Sequence, residues 1–150
     1  MKNILTKLRL KSKPTKLVAV GIPVIIRNTK GEILLGKRNN KVSSFPNMWG
    51  LPGGLMDYGE TLEAGAKREV MEELGVEITV LKKSSEIYNV PPTKGNKFHS
   101  VNILFYARIK NGKPQAKDET QEIKWFKSSE IKNMELAYTH KEILKKEGLI

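Results

Sequence analysis

Hydrophobic and polar positions alternate along this chain in short runs broken by Gly, Pro and Asn. "KLVAVGIPVIIR" is apolar and β-branched, ends at "NTKG" and is followed by "EILLGKR", so residues 17–27 and 32–38 read as strands of a hairpin. Residues 39–54 read as a long loop, because Pro and the paired Gly of "WGLPGG" oppose regular structure. A helix is predicted from about Thr61 to Leu74, with Gly75 as its stop signal. Strands follow over roughly 76–89 and 98–109, separated by "VPPTKGNK"; the second alternates through Val101, Ile103, Phe105 and Ala107. "NGKP" turns the chain at 111–114 and "EIKWF" reads as a short strand. Ser128 or Ser129 is placed to cap a short helix, and Thr139 a last one through Glu147 before Gly148. The order predicts an α+β domain with helices packed on a mixed sheet.

Composition narrows the class. One hundred and fifty residues suit one domain, read here as residues 17–150 behind a basic arm, 1–16, with six Lys or Arg and no acid. With no cysteine, disulfides and thiolate metal sites are excluded. No apolar stretch approaches the ~20 residues of a membrane span, and the arm lacks the apolar region of a secretory signal, so a cytoplasmic protein is expected. The net charge is +11, yet seven of the sixteen acids and only two bases lie between Gly54 and Glu77. The remainder, 25 bases against nine acids, carries +16, a field that attracts polyanions and would steer a phosphorylated substrate, with solubility as the equal alternative. Nucleic acid is a weaker expectation, because the bases are scattered and no nucleic-acid motif accompanies them.

The concentrated acid is "REVMEELG", residues 68–75. On a helix, Glu69, Glu72 and Glu73 share one face, an arc of about 100°, beside an apolar stripe of Ala66, Val70 and Leu74. Alone, such a face is ordinarily solvated. Next to a tight glycine turn, three carboxylates suit a hard divalent cation, Mg²⁺ with Mn²⁺ as the alternative, shared with substrate phosphates. Arg68 offers a planar guanidinium to a neighbouring carboxylate, Gly53 and Gly54 allow close backbone approach, and Glu60 precedes the helix.

Gly54, Glu60, Arg68, Glu69, Val70, Glu72, Glu73, Gly75 and Val76 fill every fixed position of the 23-residue Nudix hydrolase signature, which this stretch closely resembles. The resemblance extends over about residues 17–130, including "WGLPGG" and "EIKWF". It implies the Nudix α/β/α sandwich, a mixed β-sheet between helices, and Mg²⁺-dependent hydrolysis of a nucleoside diphosphate linked to a group X. It also implies metal ligation by Glu69, Glu72, Glu73 and the Gly53 carbonyl. Arg68 would then orient Glu69, and Glu60 would support the site or bind the metal through water. Family members often take their general base either from a glutamate of the signature or from a later loop. Glu119 is preferred to Glu122, whose alternate spacing from Trp125 reads as an outward strand position. Homodimers are frequent in the family.

Substrate identity lies outside the signature. A proline about sixteen residues beyond it resembles the ADP-ribose pyrophosphatases, and Pro92 is sixteen beyond Val76. ADP-ribose or a related nucleotide sugar is therefore the leading expectation. The alternatives are a (d)NTP pyrophosphohydrolase releasing a nucleoside monophosphate and pyrophosphate, and a non-catalytic ligand- or nucleic-acid-binding module. Arg38 is the candidate phosphate contact; Phe45, Trp49, Tyr88 and Phe98 are candidate stacking surfaces for a base. His99 and His140 read as structural.

Overall fold

Chain direction and pairing follow from which strands are apolar on both faces. The computed structural model describes residues 17–96 and 98–150; the basic arm lies outside the described residues. Its elements are β1 (Val18–Ile26), β2 (Ile33–Arg38), β3 (Trp49–Gly50), β4 (Gly53–Leu55), α1 (Leu62–Leu74), β5 (Glu77–Val90), β6 (His99–Asn111), β7 (Thr120–Phe126), α2 (Ser128–Ile131) and α3 (His140–Lys146). One mixed sheet has the order β4-β1-β6-β5, with β1 parallel to β6 and the other pairs antiparallel. A smaller antiparallel sheet has the order β3-β2-β7.

Two expectations are corrected here. The strands at 17–27 and 32–38 do not form a hairpin ladder: they enter different sheets, and the Arg27–Ile33 pair beside their turn is an isolated bridge. The reason is burial. From Gly21 to Ile26 every residue of β1 is buried, and a strand apolar on both faces belongs inside a sheet, here between β4 and β6. The loop at 39–54 is not irregular to its end. Trp49–Gly50 pairs with β2 and Gly53–Leu55 with β1, so Leu51 and Pro52 carry the chain from one sheet to the other.

The predicted helix is present as α1. Thr61 Oγ1 accepts the Ala64 N–H at 3.1 Å, and Gly75, at φ 66°, closes the last turn by donating to the Met71 carbonyl at 2.9 Å. Its buried face, Ala66, Val70 and Leu74, packs on Ile22, Val24, Ile26, Phe105 and Ala107. Burying Val70 alone contributes roughly 1.5–3 kcal/mol. A second core under α2 and α3 joins Ile25, Leu35 and Leu104 to Ile131, Ile143 and Leu144. Helices therefore cover both faces of the strands, the α/β/α arrangement expected. The short helix α2 is capped at Lys127 rather than at Ser128 or Ser129, its Glu130 carboxylate accepting the Lys127 N–H at 2.7 Å. Thr139 stands at the N-cap position of α3, but its Oγ1 makes no hydrogen bond among the described residues.

Candidate active site

The site forms where β4 runs beneath α1, and two glycines set the spacing. Gly53 sits at φ 126°, where a Cβ would lie 2.3 Å from the Ile22 carbonyl oxygen. A Cβ on Gly54 would lie 2.4–2.6 Å from the Glu69 carboxyl atoms. The missing side chain is the space that the carboxylate occupies. The Gly53 N–H donates to Glu73 Oε2 at 3.1 Å, tying strand to helix.

Arg68 organises the remaining acids. Its Nε donates to Glu60 Oε1, Nη1 to Glu69 at 3.0 Å and to Glu72 at 3.2 Å, and Nη2 to Glu60 Oε2 at 3.1 Å and the Leu55 carbonyl at 2.9 Å. Glu60 is fixed further by the Asp57 N–H at 2.9 Å. The hydrogen bond from Arg68 holds the Glu60 carboxyl below its ordinary range, and Glu60 in turn raises the Arg68 pKa. Glu69 moves the other way: burial raises it, opposed by Arg68. Burial also pushes Glu73 up to about 8; the Gly53 N–H and the charge of Arg38 oppose that rise, while Glu69 and Glu119 add to it. A shielded carboxylate beside two other acids is a site that a cation stabilises.

Glu69, Glu72 and Glu73 line one cavity of about 490 Å³ together with Gly53, Arg38 and Glu119. The donor set is all oxygen and suits Mg²⁺ or Mn²⁺. Among the described residues, no three His, Cys, Asp or Glu side chains converge closely enough to hold an ion as they stand; Glu69 and Glu72 face Arg68 instead.

Glu119 lies in the segment before β7, as expected, with its side chain 59% exposed. That segment is anchored to the end of α1: the Lys117 N–H donates to the Glu73 carbonyl at 2.9 Å and the Gln115 N–H to the Leu74 carbonyl at 3.0 Å. Glu122 points outward beside Lys37, 4.0 Å away, and is absent from the cavity wall. Arg38 is held by the Ser44 carbonyl at 2.8 Å, stacks over Tyr138 at 5.2 Å and stands 3.9 Å from Glu119.

Three of the four expected stacking rings serve packing instead. Trp49 packs edge-on against Phe126 at 5.0 Å, because β3 places it on the second core. Phe45 packs on Tyr138 at 4.8 Å, and Tyr88 points its hydroxyl to Glu147 at 2.7 Å; none of the three lines the cavity. Phe98 does line it. Pro92 lies exposed in its loop and is not part of the wall. His140 is structural, as expected: Nδ1 accepts the Leu51 N–H at 2.9 Å, and burial lowers its pKa to about 4, so the ring is neutral. Sequence reasoning missed Tyr138, Ser100 and Asn102. Tyr138 enters from the segment before α3, at φ 53°, and no periodicity marks it.

A family model described as NUDIX domain matches residues 17–146. The chain is similar to an ADP-ribose pyrophosphatase of Methanocaldococcus jannaschii, 31% identical over 128 residues, covering 85% of this chain and 71% of the relative. It is similar to the nucleoside triphosphatase NudI of Escherichia coli, 28% identical over 127 residues, covering 80% and 90%. Among solved structures, the MutT protein of Methanosarcina mazei Go1 superposes with a TM-score of 0.71 at 25% identity, covering 89% of this chain and 96% of that one.

Proposed function

This chain belongs to the NUDIX family, and on that premise we propose that it is a Mg²⁺-dependent pyrophosphohydrolase acting on ADP-ribose or a related nucleotide sugar. The observation that carries the reading is one cavity holding Glu69, Glu72 and Glu73 against a glycine turn, with Arg68 bonded to three of the surrounding acids. Members of the family use divalent metals. Glu69, Glu72, Glu73 and the Gly53 carbonyl would hold the ion; bound there, it would neutralise diphosphate charge and make a water more acidic.

The protein's own groups supply the rest. Arg68 fixes the carboxylate of Glu69 through a charge-assisted bond, and Glu60 with Asp57 fixes Arg68 in turn. Arg38, held by Ser44 and Tyr138, presents its guanidinium to a phosphate oxygen. Glu119, on a segment tied to α1, accepts the proton of the attacking water. Together these groups orient a diphosphate and a water on one wall of the cavity.

ADP-ribose is favoured by the Methanocaldococcus jannaschii relative and by Pro92 at its spacing. The NudI relative, matched over 90% of its length, supports nucleoside triphosphates as the second reading. Products decide between them. Incubation of a nucleotide panel with Mg²⁺ should yield AMP and ribose 5-phosphate from ADP-ribose; release of a nucleoside monophosphate and pyrophosphate from triphosphates alone would replace the first reading with the second. No helix among the described residues is long and apolar enough to cross a membrane. A cytoplasmic homodimer is the proposed state, to be read by fractionation and sedimentation.

A further inference from the structure

Phe98, Ser100 and Asn102 all face the cavity, at the alternate spacing that puts strand residues on one side. This wall differs from the one already described: it carries no charge. Asn102 is 7% exposed and Ser100 9%, and both line the cavity. A carboxamide on a cavity wall offers a ligand a donor and an acceptor side by side.

The neighbouring strand makes room for it. In the ladder Leu55, Gly21 and Asn102 lie side by side across β4, β1 and β6. A Cβ on Gly21 would come within 2.0 Å of Asn102 Oδ1, so any side chain there would expel the carboxamide. A glycine inside a strand marks such a close approach. Along β4, Leu55 lies two residues beyond Gly53, where Glu73 is held; strand rise makes that roughly 7 Å. A diphosphate at the carboxylates would therefore extend its nucleoside along this neutral wall. Phe98, 57% exposed, offers a ring face at the end of the same strip.

We propose that Phe98 and Asn102 form a nucleobase-reading strip, in which the ring stacks on the base and the Asn102 carboxamide pairs with its donor–acceptor edge, making Asn102 a specificity-determining residue. The proposal rests on the nucleotide-hydrolase reading above, but its test needs no turnover. Binding of AMP, GMP, CMP and UMP to the full chain is measured by calorimetry for the natural protein, Asn102→Leu, Asn102→Asp and Phe98→Leu. The natural protein should prefer one base, and Asn102→Leu should cost that base roughly tenfold to a hundredfold while bringing the four affinities together. Asn102→Asp, which exchanges the amide donor for an acceptor at the same shape, should change the ranking even if the leucine variant does not fold. Phe98→Leu should weaken all four by a similar factor. Equal affinity for all four in the natural protein, or an unchanged ranking in a folded Asn102 variant, overturns the proposal. Base discrimination without hydrolysis of any diphosphate would leave the strip standing and sink the pyrophosphohydrolase reading instead.

Discussion

The backbone N–H of Gly53 and the carboxyl of Glu73, 3.1 Å apart, join the first residue of β4 to the last turn of α1. This bond is the one hydrogen bond that Glu73 Oε2 makes among the described residues, and burial raises its pKa to about 8. Glu73→Gln keeps the shape and removes the charge. Turnover of ADP-ribose with Mg²⁺ should fall by at least about a hundredfold while the melting curve stays cooperative. Near-normal turnover would remove Glu73 from the metal site.

The same raised pKa makes stability depend on pH. The folded state holds the Glu73 proton more tightly than the unfolded chain, whose value is the ordinary 4.5. The stabilisation is therefore complete below about 4.5 and is lost as pH rises through about 8. Metal-free protein should melt at a lower temperature at pH 8 than at pH 6, by a free energy on the order of a few kcal/mol. Glu73→Gln should flatten that slope; an identical slope in the variant would show that other groups cause it.

Gly53 and Gly54 should separate under mutation. Alanine at 53 meets backbone, the Ile22 carbonyl, and a φ unfavourable to side chains, so it should lower the melting temperature. Alanine at 54 meets only the carboxyl end of Glu69, a flexible side chain that can swing away. Gly54→Ala should stay folded and lose Mg²⁺ affinity, measured by titration of activity with the metal. Full activity at unchanged Mg²⁺ demand would mean that Glu69 does not ligate.

Glu119 and Glu122 allow a direct comparison. Glu119 lines the cavity near Arg38, whereas Glu122 is turned to solvent beside Lys37. Loss of a general base typically costs about 10²–10⁴-fold, so Glu119→Gln should fall in that range and Glu122→Gln should remain near the natural rate. The reverse pattern would assign the base to the strand.

What could be read from the sequence divides along local and non-local lines. The cap at Thr61, the stop at Gly75 and the carboxylate face of α1 depend on spacing within one helix, and all are present. The β1–β2 hairpin is a local inference that tertiary burial overrides, since β1 needs neighbours on both edges. The same limit explains the aromatics: Trp49 and Tyr88 have ring character suited to a base, but their partners Phe126 and Glu147 lie 77 and 59 residues away. Asn102 carries its signal in Gly21, which neither residue reveals until β1 and β6 are known to be parallel neighbours.

Glu147 tests the architecture away from the site. It caps α3 and accepts hydroxyls from Ser84 and, at 2.7 and 2.6 Å, from Tyr88 and Tyr106, so the C-terminal helix is clamped to β5 and β6. Burial alone would raise its pKa, but the three hydroxyls outweigh that and hold it below the ordinary 4.5. Its stabilisation is accordingly present above about 4.5 and lost as pH falls through the lower folded value. Glu147→Ala leaves three hydroxyls without their acceptor and should cost about 2–4 kcal/mol, several degrees of melting temperature in a domain this size. The loss should shrink at pH 4 relative to pH 7. Because the clamp lies under α3 and not on the cavity wall, turnover well below the melting point should stay near the natural rate. An unchanged melting temperature at pH 7 would show that the apolar contacts of Ile143 and Leu144 hold the helix without it.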